Sequence, residues 1–127
     1  MNVIGSGVDI VEINRVKKLI SNKVFLNRVF TKEEIKLSIN ISNKPAFFAK
    51  RFAAKEAFSK SLGTGFRKGL NFKDISVVNN TLGKPSFFIN NKVKKLIKKN
   101  FKIKKFNFFL SISDEKKYSI AFVIFQK

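Results

Sequence analysis

The sequence contains no cysteine, no histidine and no tryptophan, and only eight acidic residues stand against 27 basic ones. Without cysteine or histidine the chain cannot build disulfide bonds, the usual zinc sites, a thiolate nucleophile or an imidazole acid–base. Any catalysis must therefore depend on carboxylates, lysines, hydroxyl groups or a hard metal ion. No run approaches the roughly 20 apolar residues that a membrane-spanning helix needs, so we expect a cytoplasmic protein that does not engage a membrane.

The length of 127 residues is typical of one domain, and no linker or internal repeat divides the chain. We therefore expect a single domain over residues 1–127. The net charge of +19 indicates an anionic partner: a nucleic acid, an acidic protein or a polyphosphate. Because only four of the basic residues are arginine, whose planar fork reads guanine, we expect no nucleic acid and favour an acidic protein or a polyphosphate ligand.

The first half of the chain is predicted to be mainly helical. Thr31 followed by Glu34 fits a capping box, in which each side chain satisfies a free backbone N–H. The strongest helical pattern has Pro45 near its start, and Gly63 can end it in a left-handed conformation. Together with a later basic segment, the predicted helices cover residues 12–20, 31–39, 46–62 and 91–100.

The second half of the chain shows mainly strand patterns. Polar turns at residues 79–83 and 114–117 each separate two β-rich runs and predict two hairpins. With the apolar start of the chain, the predicted strands are residues 2–9, 75–78, 85–89, 106–113 and 118–125. Helices in one half and hairpins in the other predict an α+β domain, with helices packed on a mostly antiparallel sheet.

Asp9 is conspicuous because acidic residues are rare here and this one ends an apolar strand. A carboxylate is costly to bury unless a cation, a metal ion or backbone N–H groups compensate it. Asp9 is therefore a candidate metal ligand. The simpler alternative is that it caps the helix that follows.

One face of the longest predicted helix carries Ala49, Ala53, Glu56 and Lys60, spaced by four, three and four residues. The alanines allow close approach of a neighbour, and if that neighbour is the first strand, Glu56 meets Asp9. Two carboxylates near each other favour a hard cation such as Mg²⁺, which accepts one or two carboxylates plus waters and phosphates. Lys60 could then reach a phosphate. The alternative is an ordinary surface pair between Glu56 and Lys60.

Two glycine-containing segments are weaker candidates for phosphate contacts. The loop over residues 63–69 combines three glycines with Arg67 and Lys68, but it lacks the spacing of a P-loop and also fits a helix end followed by a solvated turn. Residues 83–85 (Gly-Lys-Pro) similarly fit an ordinary hairpin turn.

Together these segments resemble the holo-acyl-carrier-protein synthases, the small phosphopantetheinyl transferases. The resemblance covers nearly the whole chain and is most specific at RFAAKEAFSK, followed shortly by LGTG. The matching segments are residues 5–13, 30–34, 51–60, 62–65, 72–75, 83–85, 110–113 and 118–121.

The resemblance implies an enzyme that moves 4′-phosphopantetheine from coenzyme A to a serine of apo-acyl carrier protein, in support of fatty acid biosynthesis. It further implies a homotrimer with coenzyme A bound between neighbouring subunits. Asp9 and Glu56 match the family's Mg²⁺ ligands and Lys60 its catalytic lysine, and either Glu56 or a water on the metal takes the serine proton.

The resemblance also assigns binding roles. Coenzyme A is expected to contact Lys60, Gly63, Gly65, Gly83, Lys84, Pro85 and Ser113. The acidic carrier protein is expected to contact Arg15, Lys18 and Arg28, which otherwise form a solvated basic face. Asp114 departs from the family, which usually has histidine there, and an acidic group is unfavourable near phosphates unless it points away or binds a cation.

Two other functions remain open at this point. The first is a non-catalytic module that binds nucleic acid or an acidic protein by charge alone, with affinity that falls steeply with salt. The second is a transferase of the same chemistry that serves carrier domains of secondary metabolism and accepts a broader range of them.

Overall fold

The computed structural model describes residues 2–66 and 69–127. In this part of the chain the strands are β1 (Val3–Glu12), β2 (Ile75–Asn79), β3 (Pro85–Ile89), β4 (Asn107–Asp114) and β5 (Tyr118–Gln126). The helices are α1 (Ile13–Leu19), α2 (Lys23–Val29), α3 (Lys32–Ser38), α4 (Lys44–Leu62) and α5 (Asn91–Phe101), with a 3₁₀ turn at Phe72–Asp74. None of the described helices is both long and apolar enough to cross a membrane.

The strands form two antiparallel sheets, which confirms the α+β class but not a single sheet. The larger sheet has the order β1-β5-β4, with β1 and β4 at its edges. The smaller sheet is the β2–β3 hairpin, and β3 lies against β4 without a ladder between them. Local pattern predicted the hairpins well, whereas the pairing between them depends on tertiary packing.

Helix α4 is the centre of the domain, and most of its 19 residues are buried. It packs against β1 and β5 on one side and reaches β2 on another. Ala49 and Ala53, on the predicted small-residue face, are fully buried. The helix has no clear polar face, because nearly all of its sides are buried and its buried residues include Arg51 and Lys55.

Two glycines of β1 let α4 approach this closely. A Cβ added at Gly5 would lie 2.1 Å from the carbonyl oxygen of Ser61, and one at Gly7 would lie 1.9 Å from that of Ala57. Both collisions involve backbone atoms that cannot move aside without shifting the helix. These glycines therefore set the distance between β1 and α4.

Gly7→Ala is expected to destabilise the fold by about 1–3 kcal/mol, the range found when a well-packed interior is overfilled. Thermal unfolding followed by circular dichroism measures the effect. Ser6→Ala is the matched control, because Ser6 is exposed on the other side of the same strand and should leave the midpoint unchanged. A Gly7→Ala midpoint equal to that of the control would contradict the close approach.

The ends of the helices follow the predicted chemistry. Thr31 and Glu34 form the capping box of α3, with both reciprocal hydrogen bonds present. The side chain of Asn43 caps α4, Pro45 lies in its first turn, and Gly63 ends it with φ of 75°. These signals fix the start and end of the helix that carries Glu56.

Strand β1 is longer than predicted and continues three residues beyond Asp9 to Glu12. Because α1 begins only at Ile13, Asp9 lies within a strand and does not cap a helix. The capping alternative is therefore wrong. Asp9 is instead paired with Ala121 of β5 and lies on the same side of the sheet as Gly7.

Candidate active site

The structure brings together the three residues predicted for catalysis. Asp9 comes from β1 and Glu56 and Lys60 from one face of α4. The Nζ atom of Lys60 lies 3.0 Å from Oδ1 of Asp9 and donates a second hydrogen bond, of 3.1 Å, to the carbonyl oxygen of Val8. The predicted contact between the first strand and this helix face is thus present.

The site is open to solvent on the lysine side. The side chain of Lys60 is 53% exposed, whereas that of Asp9 is only 15% exposed. The exposed lysine, on its four-carbon stem, has room to turn toward solvent, although the largely buried Asp9 carboxylate then needs another cation. Lys60 is therefore able to swing from Asp9 to an incoming anion.

Glu56 is held in an environment that disfavours its charged form. Its partial burial, and secondly the negative charge of Asp9, raise its pKa above the ordinary glutamate value of 4.5. The positive charges of Lys60 and Arg15 oppose this rise. Arg15, on the exposed side of α1, is thus close enough to act on Glu56.

Replacing Glu56 by glutamine is expected to stabilise the metal-free protein by a few degrees at neutral and alkaline pH. Because folding raises this pKa, the stability that Glu56 contributes is full below 4.5 and is lost as pH rises through the raised value. Glutamine carries no charge and avoids that loss.

Thermal unfolding in EDTA measures this difference across pH. The variant should unfold at a higher temperature than the parent protein near pH 8 and at the same temperature below 4.5. A variant that is less stable than the parent near pH 8 would show that the protein does not disfavour the charged form of Glu56.

The pair of Asp9 and Glu56 suits a hard divalent cation. The mutual repulsion that raises the Glu56 pKa is relieved when a cation lies between the two carboxylates. Among the residues that the structure describes, no group of three or more acidic side chains is gathered for a metal. A site with two protein carboxylates, completed by water and phosphate oxygens, fits Mg²⁺ better than Ca²⁺, which prefers a fuller cage.

A second concave region lies beside the smaller sheet. It is a cavity of about 340 Å³, and it contains two of the residues predicted to bind coenzyme A, Gly83 and Pro85. Its other lining residues are Ile41, Phe47, Lys50, Arg51, Val77, Asn79, Ile112 and Asp114. Two cations, Lys50 and Arg51, therefore line the same cavity as Asp114.

Arg51 is the functional candidate that sequence reasoning missed. It is only 6% exposed, its guanidinium lies 3.6 Å from the ring centre of Phe47, and it donates to the side chain of Asn79 over 3.1 Å. Burial lowers its pKa from the usual arginine value, and Glu34 opposes that shift. Its Nε atom has no hydrogen-bond partner among the described residues. A buried arginine with a free N–H at a cavity is suited to binding a phosphate.

The cavity and the carboxylate pair lie on opposite sides of α4. Nine residues, about two and a half helical turns, separate Arg51 from Lys60, so the two side chains leave the helix in opposite directions. Asp9 lies on edge strand β1, whereas Asp114 ends the other edge strand, β4. One subunit therefore presents two half-sites rather than one continuous cleft.

The remaining predicted coenzyme A residues are more scattered. Gly63 and Gly65 directly follow α4 within a turn of Lys60, and the Gly63 N–H donates to the carbonyl oxygen of Lys60 over 3.0 Å. Lys84 lies exposed in the β2–β3 turn. Ser113 pairs with the exposed Ile120 and faces away from the cavity, so the structure does not join it to either half-site. The predicted cations Arg67 and Lys68 lie outside the described residues.

The predicted carrier-protein residues lie on two neighbouring short helices. Arg15 and Lys18 are exposed on α1, and Arg28 is exposed in the last turn of α2. Helix α1 packs on α4 beside Glu56, which agrees with the influence of Arg15 on that carboxylate. The basic face therefore borders the carboxylate pair.

Comparison with known proteins places this arrangement in a family. Residues 5–123 match the model of the 4′-phosphopantetheinyl transferase superfamily. A holo-[acyl-carrier-protein] synthase of Pelagibacter ubique is 62% identical over 127 residues, which cover 100% of this chain and 99% of the relative.

Solved structures give the same result. The holo-[acyl-carrier-protein] synthase of Neisseria meningitidis has a TM-score of 0.89 at 36% identity, covering 99% of this chain and 100% of the other. The holo-(acyl-carrier-protein) synthase of Bacillus anthracis was solved in complex with CoA (3′,5′-ADP). It has a TM-score of 0.81 at 34% identity, covering 98% of this chain and 97% of the other. The chain therefore belongs to the holo-[acyl-carrier-protein] synthase family of 4′-phosphopantetheinyl transferases.

Proposed function

We propose that the enzyme transfers 4′-phosphopantetheine from coenzyme A to a serine of apo-acyl carrier protein, in support of fatty acid biosynthesis. The observation that carries the proposal is the meeting of Asp9, Glu56 and Lys60 in a chain of this family. The serine hydroxyl oxygen bonds to the phosphorus next to the pantetheine arm. The bond from that phosphorus to the adenosine-side phosphate breaks and releases adenosine 3′,5′-bisphosphate.

Asp9 and Glu56 would hold Mg²⁺, the proposed cofactor. When bound, Mg²⁺ neutralises negative charge on the pyrophosphate of coenzyme A. Lys60 leaves Asp9 and donates to the phosphate, where it stabilises the charge that develops on the leaving group. Lys60 is 53% exposed and so has room to move, and a cation bound at the largely buried Asp9 would replace the charge that Lys60 withdraws.

Glu56 is the proposed acceptor of the serine proton. Burial and Asp9 raise the pKa of Glu56 in the metal-free protein, and a bound cation would offset that rise, so this assignment rests on the position of Glu56 and not on its pKa. Because Lys60 is one helical turn away on the same face, the proton acceptor and the phosphate-binding cation approach the reacting atoms from one side.

The cavity beside Arg51 is the proposed seat of the adenosine end of coenzyme A. Arg51 and Lys50 would bind the 3′-phosphate, the one phosphate that is not part of the pyrophosphate assigned to Asp9, Glu56 and Lys60. Gly83 and Pro85 would form the wall against the nucleoside, and the absence of a side chain at Gly83 leaves room there. The Bacillus anthracis relative solved with CoA (3′,5′-ADP) supports a nucleotide ligand of this type.

A homotrimer with coenzyme A between subunits joins the two half-sites, because the carboxylate pair of one copy can face the cavity of the next. The open side of the larger sheet offers a surface for this assembly. It presents apolar side chains that are 41–59% exposed on three neighbouring strands, namely Val8, Ile10, Phe109, Ile120 and Phe122. A contiguous apolar face of this kind is typical of a subunit interface.

Phe122→Glu is expected to convert the trimer to a monomer, because Phe122 lies on the central strand of this face and a charge cannot be buried there unpaired. Light scattering coupled to size-exclusion chromatography measures the mass. Phe88→Glu, on the exposed side of the smaller sheet, is the matched control and should leave the mass unchanged. A parent protein that is monomeric at assay concentrations would contradict the shared site.

The basic face of Arg15, Lys18 and Arg28 is the proposed docking surface for the carrier protein. The net charge of +19 favours an acidic partner, and complementary charge increases the rate of encounter more than the final affinity. Arg15 borders Glu56, so a carrier protein seated on α1 would present its serine next to the proposed base.

Release of adenosine 3′,5′-bisphosphate tests the proposed reaction. The enzyme should form it, as resolved by anion-exchange chromatography, only when coenzyme A, Mg²⁺ and apo-acyl carrier protein are all present. EDTA or omission of the carrier protein should stop its formation. Formation at the same rate without the carrier protein would indicate hydrolysis of coenzyme A instead of transfer.

A further inference from the structure

Lys55, the residue directly before Glu56, has a completely buried ammonium group that the proposed reaction does not use. It donates to Oε1 of Glu34 over 2.6 Å and to the carbonyl oxygens of Val29 and Phe72 over 2.7 and 3.1 Å. Each of its three N–H groups thus has an acceptor, and each acceptor belongs to a different segment of the chain.

Glu34 extends the same network to the smaller sheet. Its Oε2 atom accepts the backbone N–H of Val77 in β2 over 3.0 Å, and its Oε1 also accepts the backbone N–H of Thr31 over 2.9 Å. The hydroxyl of Ser76 completes the link by donating to the hydroxyl of Thr31 over 3.0 Å. The capping carboxylate of α3 therefore also neutralises a lysine of α4.

Three segments with proposed substrate contacts are tied to this one pair. Lys55 fixes the turn of α4 that carries Glu56, and its bond to Phe72 holds the segment after the Gly63–Gly65 loop, where the Phe72 ring stacks on Phe66 at 3.7 Å. Glu34 holds β2, which contributes Val77 and Asn79 to the cavity.

A role in stability alone does not account for such a pair. Removing two charges from water costs about as much as their attraction returns, and apolar replacements of similar volume are often neutral or stabilising. What the pair does supply is direction. Its four backbone partners, the carbonyl oxygens of Val29 and Phe72 and the N–H groups of Thr31 and Val77, lie on separate segments and can be satisfied together in only one arrangement.

We propose that Glu34 and Lys55 are positioning residues that hold Glu56, the loop after α4 and β2 in the geometry that binds the metal ion and coenzyme A. The proposal rests on the proposed function and identifies what sets the spacing of its two half-sites. Neither residue touches the substrate. Their effect acts through the placement of Glu56 on one side of α4 and of Asn79 and Gly83 on the other.

The test compares three variants with the parent enzyme. Glu34→Leu with Lys55→Met replaces the pair by apolar side chains of similar volume. Glu34→Gln keeps an acceptor for Lys55 but turns an amide NH₂ toward the N–H of Val77, which detaches β2. Lys92→Met is the matched control, because it removes a lysine from the half-exposed ion pair with Asp74, away from the cavity.

The readouts separate positioning from stability. Thermal unfolding shows whether each variant is folded and how stable it is. Electron paramagnetic resonance of Mn²⁺ measures the affinity of the carboxylate pair for a divalent ion. Steady-state kinetics give kcat and the KM for coenzyme A. For the double variant and for Glu34→Gln we expect folded protein, weaker Mn²⁺ binding and a higher KM, each by on the order of tenfold or more. The control should match the parent in all of these.

Two outcomes overturn the proposal. If either variant folds and keeps the parent's Mn²⁺ affinity and KM, the pair does not position the site. If both variants fail to fold, the pair is a requirement of the whole fold and not of the site. A parent enzyme that binds Mn²⁺ but transfers nothing would instead count against the proposed function.

Discussion

Glu56→Ala is expected to lower the rate of phosphopantetheine transfer by on the order of 10³-fold, the largest effect of any single change that the structure suggests. The substitution removes at once the proposed proton acceptor and one of the two carboxylates proposed to hold the metal ion. Because Glu56 is only partly buried and its charged form is disfavoured by Asp9, the fold should not suffer from its loss.

The rate is measured from the conversion of apo- to holo-carrier protein at saturating coenzyme A and Mg²⁺. Glu33→Ala is the matched control, because Glu33 is an exposed glutamate in the first turn of α3 and should leave the rate unchanged. If the transfer rate of the Glu56→Ala enzyme stays within tenfold of the parent's rate, another group accepts the serine proton and Asp9 alone suffices to bind the metal ion.

Arg51→Met is expected to raise the KM for coenzyme A by on the order of 10²-fold, because it removes the buried cation proposed to bind the 3′-phosphate. The effect should depend on that phosphate. The parent enzyme should therefore prefer coenzyme A to dephospho-coenzyme A, which lacks the 3′-phosphate, and the variant should not.

Steady-state kinetics with both donors test this second prediction. Lys99→Met, which removes an exposed lysine from α5, controls for the general loss of positive charge and should retain the parent's preference. If Arg51→Met raises the KM for both donors equally, Arg51 supports the cavity only by packing on Phe47 and bonding Asn79. Equal KM values for coenzyme A in the variant and the parent would show that the 3′-phosphate binds elsewhere.

The carboxylate pair and its lysine could be predicted from the sequence because each depends on short-range rules. The positions of Glu56 and Lys60 on one face follow from helix geometry, and the small residues on that face predict the close neighbour. Asp9 was conspicuous because a carboxylate rarely occurs in an apolar strand. The glycines that permit the contact, Gly5 and Gly7, precede it at the spacing of one strand face.

The buried cations could not be predicted in the same way. Arg51 and Lys55 occur one turn apart in a helix of a highly basic chain, where lysine and arginine are by default exposed. Their burial depends on partners far away in sequence, Asn79 for one and Glu34 and Val29 for the other. Local reasoning assigned Glu34 only to the capping box, which is correct but incomplete.

The division into two half-sites also lies beyond a local analysis. It depends on α4 running between edge strand β1 and the cavity bounded by β2 and β4, which no segment encodes alone. Sequence motifs supplied residues for both halves, and the structure places these halves on opposite sides of α4. In the proposed homotrimer, the carboxylate pair of one subunit would face the cavity of the next.

The intact mass of an apo-acyl carrier protein, measured after incubation with this enzyme, coenzyme A and Mg²⁺, shows whether phosphopantetheine is transferred. We expect the carrier to gain the mass of one phosphopantetheine group on a single serine, and EDTA or Glu56→Ala to prevent the gain. A carrier protein that keeps its original mass, with folded enzyme and metal present and several carriers tried, would contradict the proposed transfer.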